Sequence, residues 1–162
     1  MIIDAHHHLW QPERGYRWLD EPELAAIRRP FTPADLTAEL AAAGVDRTVL
    51  VEGGRCHTDE AAEFLGHAAD TPAIAGVVAW IDVAALDLAA TIARYRSLRG
   101  GELLAGVRAQ IQGEAVADYP AVLAALREAL PPLSQQQLQD IFAGTAMRTY
   151  GLADRVRPRT PA

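Results

Sequence analysis

The residues best suited to chemistry are two histidines near the N-terminus, His6 and His8, which follow Asp4 in an apolar run typical of a strand. Along an extended strand alternate side chains share a face, so His6, His8 and Asp4 are expected to point one way and His7 the other. Two imidazoles on one face can bind a divalent cation. A metal or a hydrolytic water held there would make the protein a hydrolase.

Two other interpretations of the histidine run stay open. It could be the remnant of a purification tag, although the run continues a strand pattern and tags usually lie outside the fold. His6 and His8 could also be hydrogen-bonded core residues without a chemical role. The pattern favours the functional interpretation over both.

Composition sets the class of protein. A chain of 162 residues that is 50% hydrophobic can bury one sizeable core, which predicts a single domain. The net charge of −6 and the scattered arginines argue against nucleic acid and anionic membranes as partners. No apolar run is long enough to predict membrane insertion, and the N-terminus lacks the basic and apolar segments that would predict secretion. The single cysteine, Cys56, excludes an internal disulfide and predicts a reducing compartment such as the cytoplasm.

Strands and helices are predicted to alternate over the first two thirds of the chain. Thr32 is expected to cap a helix, with Pro33 and Asp35 in its first turn and Gly44 at its end. The predicted strands are continuously apolar, which is typical of a parallel sheet covered by helices. After the first strand, we expect strands at 47–52, 73–82 and 103–111. Helices are expected at 33–43 and 86–98, and Thr58 is expected to cap a helix that reaches residue 69.

The last third of the chain lacks this rhythm. Helices are predicted at 119–130 and from Ser134 to about 150, with Pro131 and Pro132 between them. Residues 153–162 carry too few apolar groups to pack and are predicted to be disordered. The fold class expected is α/β, with about four parallel βα units followed by two C-terminal helices.

Several short motifs occur in a specific order. They are Ile-Asp-Ala-His-His-His-Leu-Trp from residue 3, Arg-Pro-Phe-Thr-Pro-Ala-Asp-Leu from 29, Ala-Gly-Val-Val-Ala-Trp-Ile-Asp from 75, Ala-Gly-Val-Arg-Ala-Gln-Ile-Gln from 105 and Phe-Ala-Gly-Thr-Ala-Met-Arg-Thr-Tyr-Gly-Leu from 142. Together they resemble the amidohydrolase-related family that includes sugar-acid and dicarboxylate lactonases. The resemblance implies a (β/α)₈ TIM barrel, which typically needs about 250 residues.

The chain is too short for that barrel, so the resemblance implies a partial one. Residues 1–152 would form an incomplete amidohydrolase-like domain, followed by the tail at 153–162. Because both ends resemble the family, strands five to eight would be missing through an internal deletion joined between Gln112 and Asp118. The later histidines and the final aspartate that related enzymes use would then be absent.

The resemblance also assigns roles to residues at the strand ends. His6 and His8 match a histidine pair that holds a divalent metal, Zn or Mn, in some members and contacts substrate or water in metal-free ones. Glu52 is the expected additional oxygen ligand. Arg108 matches an arginine that clamps a substrate carboxylate or polarises a lactone carbonyl, with an ion pair to Glu52 as the alternative. His57 could also reach this end of the sheet.

Three aromatic residues of the first loop match positions suited to stacking on a sugar ring: Trp10, Tyr16 and Trp18. Packing in the core is the alternative for each of them.

The expected function is hydrolysis of a lactone or sugar-acid ester by an activated water, impaired in this shortened chain. A homodimer could cover the open half-barrel and supply missing groups. Two alternatives stay open: a non-catalytic half-barrel module, and a degenerate product of an internally deleted gene.

Overall fold

The computed structural model of the protein describes residues 1–82, 85, 87–110, 124, 127–128 and 132–144. The chain divides into two compact units, Met1–Leu126 and Arg127–Ala162. The first unit contains the sheet and every residue of the candidate site.

The sheet has four strands in the order β1-β2-β3-β4, and each neighbouring pair is parallel. This confirms the predicted number, order and direction of the strands. The strands β2, β3 and β4 end one to three residues before their predicted ends, and the residues that follow them lie at the carboxyl edge of the sheet. The strands are β1 (Ile3–His7), β2 (Arg47–Val51), β3 (Ile74–Trp80) and β4 (Leu104–Arg108).

Three helices connect the strands: α1 (Pro33–Ala43), α2 (Thr58–Asp70) and α3 (Leu88–Ser97). The start of α1 is as predicted, because the Thr32 hydroxyl accepts a hydrogen bond from the Asp35 amide while the Asp35 carboxylate accepts one from the Thr32 amide.

The start of α2 differs from the prediction by one residue. His57, rather than Thr58, is the capping residue, because its Nδ1 accepts a hydrogen bond from the Asp59 amide at 3.2 Å. A ring nitrogen can therefore fill the position that a hydroxyl usually takes at a helix start.

The segment between β1 and α1 is more ordered than the predicted loop. It forms three short 3₁₀ helices, Pro12–Arg14, Arg17–Asp20 and Pro22–Ile27. An antiparallel bridge closes the segment at its ends, where the Phe31 amide donates to the Trp10 carbonyl at 2.8 Å. This closure holds the first loop over the carboxyl edge of the sheet.

The hydrophobic core lies between the sheet and its helices. Apolar residues from β2 and β3 pack against one face of α2 and against Tyr95 of α3, which removes their surfaces from water. The buried cluster comprises Leu9, Leu50, Ala61, Phe64, Leu65, Ala68, Ile74, Val77, Ala79 and Tyr95.

The second unit begins within the predicted C-terminal helices. Helix α4 (Gln135–Gln139) starts at Ser134 as predicted, with a reciprocal cap between Ser134 and Gln137, and one π-helical turn, Asp140–Gly144, follows it. Residues 124, 127 and 128 are helical, whereas the rest of the predicted helix at 119–130, the end of the helix from 134, the join at 112–118 and the tail at 153–162 lie outside the described residues. Within the described residues no helix is long and apolar enough to cross a membrane.

We predict that Gly100→Ala destabilises the protein by about 2 kcal/mol or more. Gly100 has a φ of +76°, and a Cβ at this position would overlap the backbone carbonyl of Leu65 in α2. Urea unfolding measures the change. Gly66→Ala is the matched control, because a Cβ there meets nothing within 4 Å; we expect it to be neutral or stabilising by up to about 1 kcal/mol. Equal stability of the Gly100 variant and the wild type would contradict this packing.

Candidate active site at the carboxyl edge of the sheet

The ends of three strands bring four polar side chains to one edge. His6 lies near the end of β1 with His8 just beyond it, Glu52 directly follows β2, and Arg108 is the last residue of β4. Because the strands are parallel, their carboxyl ends meet at the same edge, which is where α/β barrels place their active sites. These four residues define the candidate site.

The two histidines converge on one point. Their Nε2 atoms are 3.1 Å apart, and their rings meet edge to face with centroids 4.8 Å apart. His8 Nδ1 lies 3.1 Å from the Val51 carbonyl oxygen. Since a carbonyl can only accept, Nδ1 of His8 carries the proton and Nε2 presents its lone pair when the ring is neutral.

His7 points to the opposite side, as the alternation predicts. Its Nδ1 hydrogen bonds with the buried Thr48 hydroxyl at 2.6 Å on the neighbouring strand. His7 is therefore a packing residue of the sheet, whereas His6 and His8 face the candidate site.

The environment of His6 favours its neutral form. Partial desolvation lowers the pKa of His6 below its usual value, and the nearby His8 and Arg108 lower it further, against opposing effects of Asp4 and Glu52. A neutral imidazole is the form that can bind a metal or accept a proton from water. The Asp4 carboxylate accepts a hydrogen bond of 3.0 Å from the backbone amide of His6 within β1.

Glu52 is fully buried, and both of its oxygens are engaged. Oε1 lies 2.9 Å from Arg108 Nε and accepts a hydrogen bond of 2.9 Å from Gln110 Nε2, while Oε2 accepts one of 2.8 Å from the Gly54 amide. The ion pair considered as the alternative for Arg108 is therefore present. Sequence reasoning missed Gln110, whose signal was its position two residues after Arg108, on the same side of an extended segment.

The described residues contain no group of three His, Cys, Asp or Glu side chains able to hold a metal ion. Glu52 is thus not brought into a ligand cluster with the histidines, because its oxygens face donors from β4 and from its own loop. The histidine pair itself fits a metal, since two nitrogens 3.1 Å apart can both lie about 2.0–2.1 Å from one zinc ion. A typical catalytic zinc has three protein ligands, and the pair would supply two of them.

The three aromatic residues differ in their exposure. Tyr16 is 3% exposed and packs inside, which favours the packing alternative for this residue. Trp18 donates a hydrogen bond of 2.8 Å to the Gly53 carbonyl, and Trp10 donates one of 3.1 Å to the Ile27 carbonyl. The two indoles meet edge to face with centroids 5.3 Å apart. Both are half-buried, so part of each ring stays exposed.

A second buried carboxyl, Glu60, holds the loop after β2. Its Oε1 accepts a hydrogen bond of 3.1 Å from the Gly53 amide, and the Tyr16 hydroxyl lies beside the same carboxyl group. Burial raises the pKa of Glu60 to about 7, and Glu52 adds to the shift, while Tyr16 and Gly53 oppose it. Sequence reasoning missed Glu60, because a glutamate in the first turn of a helix is usually a solvated residue.

The remaining histidine of this loop, His57, is exposed and caps α2, as described above. The structure does not bring it to the histidine pair. It lies instead in the wall of a separate cavity with Arg14 and Arg55.

Parallel βα units with a histidine pair at the carboxyl edge of the sheet are typical of α/β-barrel proteins, whose active sites lie at the ends of the strands. A family model described as Amidohydrolase matches residues 3–129. The chain belongs to the amidohydrolase family, and its four parallel strands correspond to part of the family's TIM barrel.

Similar proteins support this assignment. The chain is 37% identical over 118 residues to an L-fucono-1,5-lactonase of Burkholderia ambifaria, and 35% identical over 117 residues to one of Burkholderia multivorans. These matches cover 72% and 70% of this chain but 39% and 36% of the relatives. The chain thus matches well under half the length of these relatives.

A solved structure agrees with the fold. The crystal structure of an amidohydrolase from Burkholderia multivorans with bound zinc superposes with a TM-score of 0.66 at 29% identity. The match covers 90% of this chain and 54% of that one.

We predict that Glu60→Gln flattens the dependence of stability on pH. The unfolded carboxyl titrates near 4.3 and the folded one at about 7, so the folded state binds more protons between these values. The contribution of Glu60 to the free energy of unfolding therefore falls as pH rises through about 7, by up to about 3 kcal/mol. Urea unfolding from pH 5 to 8 measures this as the difference between the variant and the wild type.

Glu39→Gln is the matched control, since Glu39 is an exposed glutamate of α1 and its replacement removes the same charge. Its profile should parallel that of the wild type. A Glu60→Gln profile parallel to the wild type would show that Glu60 does not titrate in this range.

Proposed function

We propose that His6 and His8 form one side of a lactone-hydrolysing site. The observation that carries this proposal is the convergence of His6 Nε2 and His8 Nε2 to 3.1 Å, beside Arg108 at the carboxyl edge of the sheet. Neutral imidazole nitrogens aimed at one point can hold either a cation or a water molecule. Both are means of activating the attacking water in ester hydrolysis.

The substrate class proposed is a cyclic ester of a sugar acid. Support comes from the two relatives named L-fucono-1,5-lactonase. In this reaction the water oxygen bonds to the carbonyl carbon, the ring carbon–oxygen bond breaks, and the proton from water ends on the released alkoxide. The product is an open-chain hydroxy acid, and no oxidant or other co-reactant is needed.

A divalent cation, zinc or manganese, would be held by His6 and His8. When bound, such an ion supplies a lower pKa for its bound water and polarises a carbonyl oxygen. The solved Burkholderia multivorans amidohydrolase contains zinc, which supports a cation in this family. The described residues of one copy supply only the pair, so a third ligand would come from other residues of the chain or from a second copy.

Arg108 is proposed to stabilise the oxygen that gains negative charge. Glu52 fixes the guanidinium through Nε, and the side chain is still 30% exposed, so its outer part reaches the site. A fixed cation that needs no reorganisation is effective for such a charge. Trp10 and Trp18, held by their own hydrogen bonds, are proposed to contact the sugar ring, whereas the buried Tyr16 is not.

A second copy of the chain is proposed as the macromolecular partner. The described sheet has two edge strands, β1 and β4. Exposed apolar residues lie at the start of β1, where Ile3 is 54% exposed and the preceding Ile2 is 57% exposed. Exposed strand edges with apolar side chains favour association. Two copies could close against each other and contribute the groups that one copy lacks.

The proposal predicts hydrolysis of L-fucono-1,5-lactone above the buffer blank, measured as proton release at known zinc or manganese content. If two copies complete the site, the rate should rise faster than linearly with protein concentration. His6→Ala should lower the rate at least about 100-fold and weaken metal binding, because it removes a nitrogen from the pair.

His7→Asn is the matched control, because its amide can keep the bond to Thr48 while the pair stays intact. It should retain the rate and the metal affinity. A folded, metal-supplied wild type without turnover would contradict the proposal and favour a non-catalytic module. Equal loss in the His6 and His7 variants would show that the pair has no special role.

A further inference from the structure

A cavity with strongly cationic walls lies beside the candidate site. It has a volume of about 590 Å³ and is formed by the first loop and the loop after β2. Three arginines line it, Arg14, Arg17 and Arg55, together with His57 and the backbone of Gly54. None of the arginines belongs to the histidine pair or to the Glu52 network.

The cations of this cavity exceed the carboxylates that contact them. Glu63 is shared by two of them, with Oε2 at 3.5 Å from Arg55 and Oε1 at 3.9 Å from Arg14. Arg17 forms no ion pair within the described part of the chain. Asp59 lies at the exposed rim, 3.4 Å from His57. Three arginines therefore line the cavity, and the one carboxylate in contact with them, Glu63, reaches only two.

The wall formed by the loop after β2 is held in place. Gly54 has a φ of +87°, its amide donates to Glu52, and Trp18 holds the preceding carbonyl of Gly53. The Arg55 side chain is only 17% exposed and is fixed by Glu63. A charged wall that is already ordered loses little conformational entropy when it binds a ligand.

We propose that this cavity is an anion-binding site for a small molecule that carries a carboxylate or a phosphate. Both groups match the planar fork of a guanidinium, which can donate two parallel hydrogen bonds to them. The volume lies within the range of small-molecule pockets, about 300–1,000 Å³. Since Gly54 also binds Glu52, an anion here would lie next to the candidate site without using its histidines.

Isothermal titration calorimetry with three probes tests the site: D-gluconate, inorganic phosphate and neutral D-glucose. We expect saturable binding of at least one anion, weakened by added salt, and no saturable binding of glucose. The tighter of the two anions identifies whether a carboxylate or a phosphate is the preferred group. Binding is measured without turnover, so the result does not depend on lactonase activity.

Three variants locate the binding. Arg17→Gln should weaken anion binding only about three- to fivefold, because Arg17 is exposed and its charge is screened by water. Arg55→Gln should weaken it about tenfold, because its guanidinium is largely buried. Arg47→Gln removes the same charge from the start of β2, away from the cavity, and should leave affinity unchanged.

Circular dichroism and thermal unfolding check that each variant is folded, and the exposed Arg17 keeps the test valid if the Arg55 variant is not. Absence of anion binding to the folded wild type would overturn the site. So would equal affinity for glucose and gluconate, or an equal effect of Arg17→Gln and Arg47→Gln.

Discussion

The Glu52 carboxylate lies fully buried at the end of β2 and accepts contacts from three donors. A buried carboxylate is costly unless it is paired and its lone pairs are satisfied. Here a guanidinium and an amide from the end of β4 and a backbone amide from the loop after β2 meet this need. Because β3 lies between β2 and β4, the network links strands that are not neighbours.

The positions of both loops at the carboxyl edge follow from this network. The Gly54 amide is held by Glu52, and the adjoining Gly53 is held on one side by Glu60 and on the other by Trp18 of the first loop. Gly53 has no room for a side chain, since a Cβ there would lie 2.9 Å from the Tyr16 ring. Val51, which His8 contacts, and Gly54, which lines the arginine-lined cavity, therefore lie on either side of this network in one short segment.

Local sequence patterns predicted the elements better than they predicted their contacts. The continuous apolar runs predicted four parallel strands, and the Thr32 to Asp35 spacing predicted the start of α1, because both depend on residues close in the chain. The alternation rule likewise separated His6 and His8 from His7. The cap of α2 was misplaced by one residue, because ring nitrogens of histidine are seldom considered as caps.

The contacts of the site depend on residues far apart in the sequence. Gln110 is 58 residues from Glu52, and no local pattern indicates that the two side chains meet. Tyr16 was a candidate for sugar stacking, yet its burial depends on how the first loop folds over Glu60 and Gly53. The ion pair of Arg108 with Glu52 was one of two sequence-based alternatives, and only the register of β2, β3 and β4 brings these groups to 2.9 Å.

A double-mutant cycle between Glu52 and Arg108 tests the role of the buried carboxylate most directly. The free energy of unfolding is measured for Glu52→Gln, Arg108→Gln, the double variant and the wild type. We predict a coupling energy of at least about 1 kcal/mol, because each single change leaves a buried or partly buried group without its ionic partner. Additivity within about 0.5 kcal/mol would show that the pair does not organise the carboxyl edge.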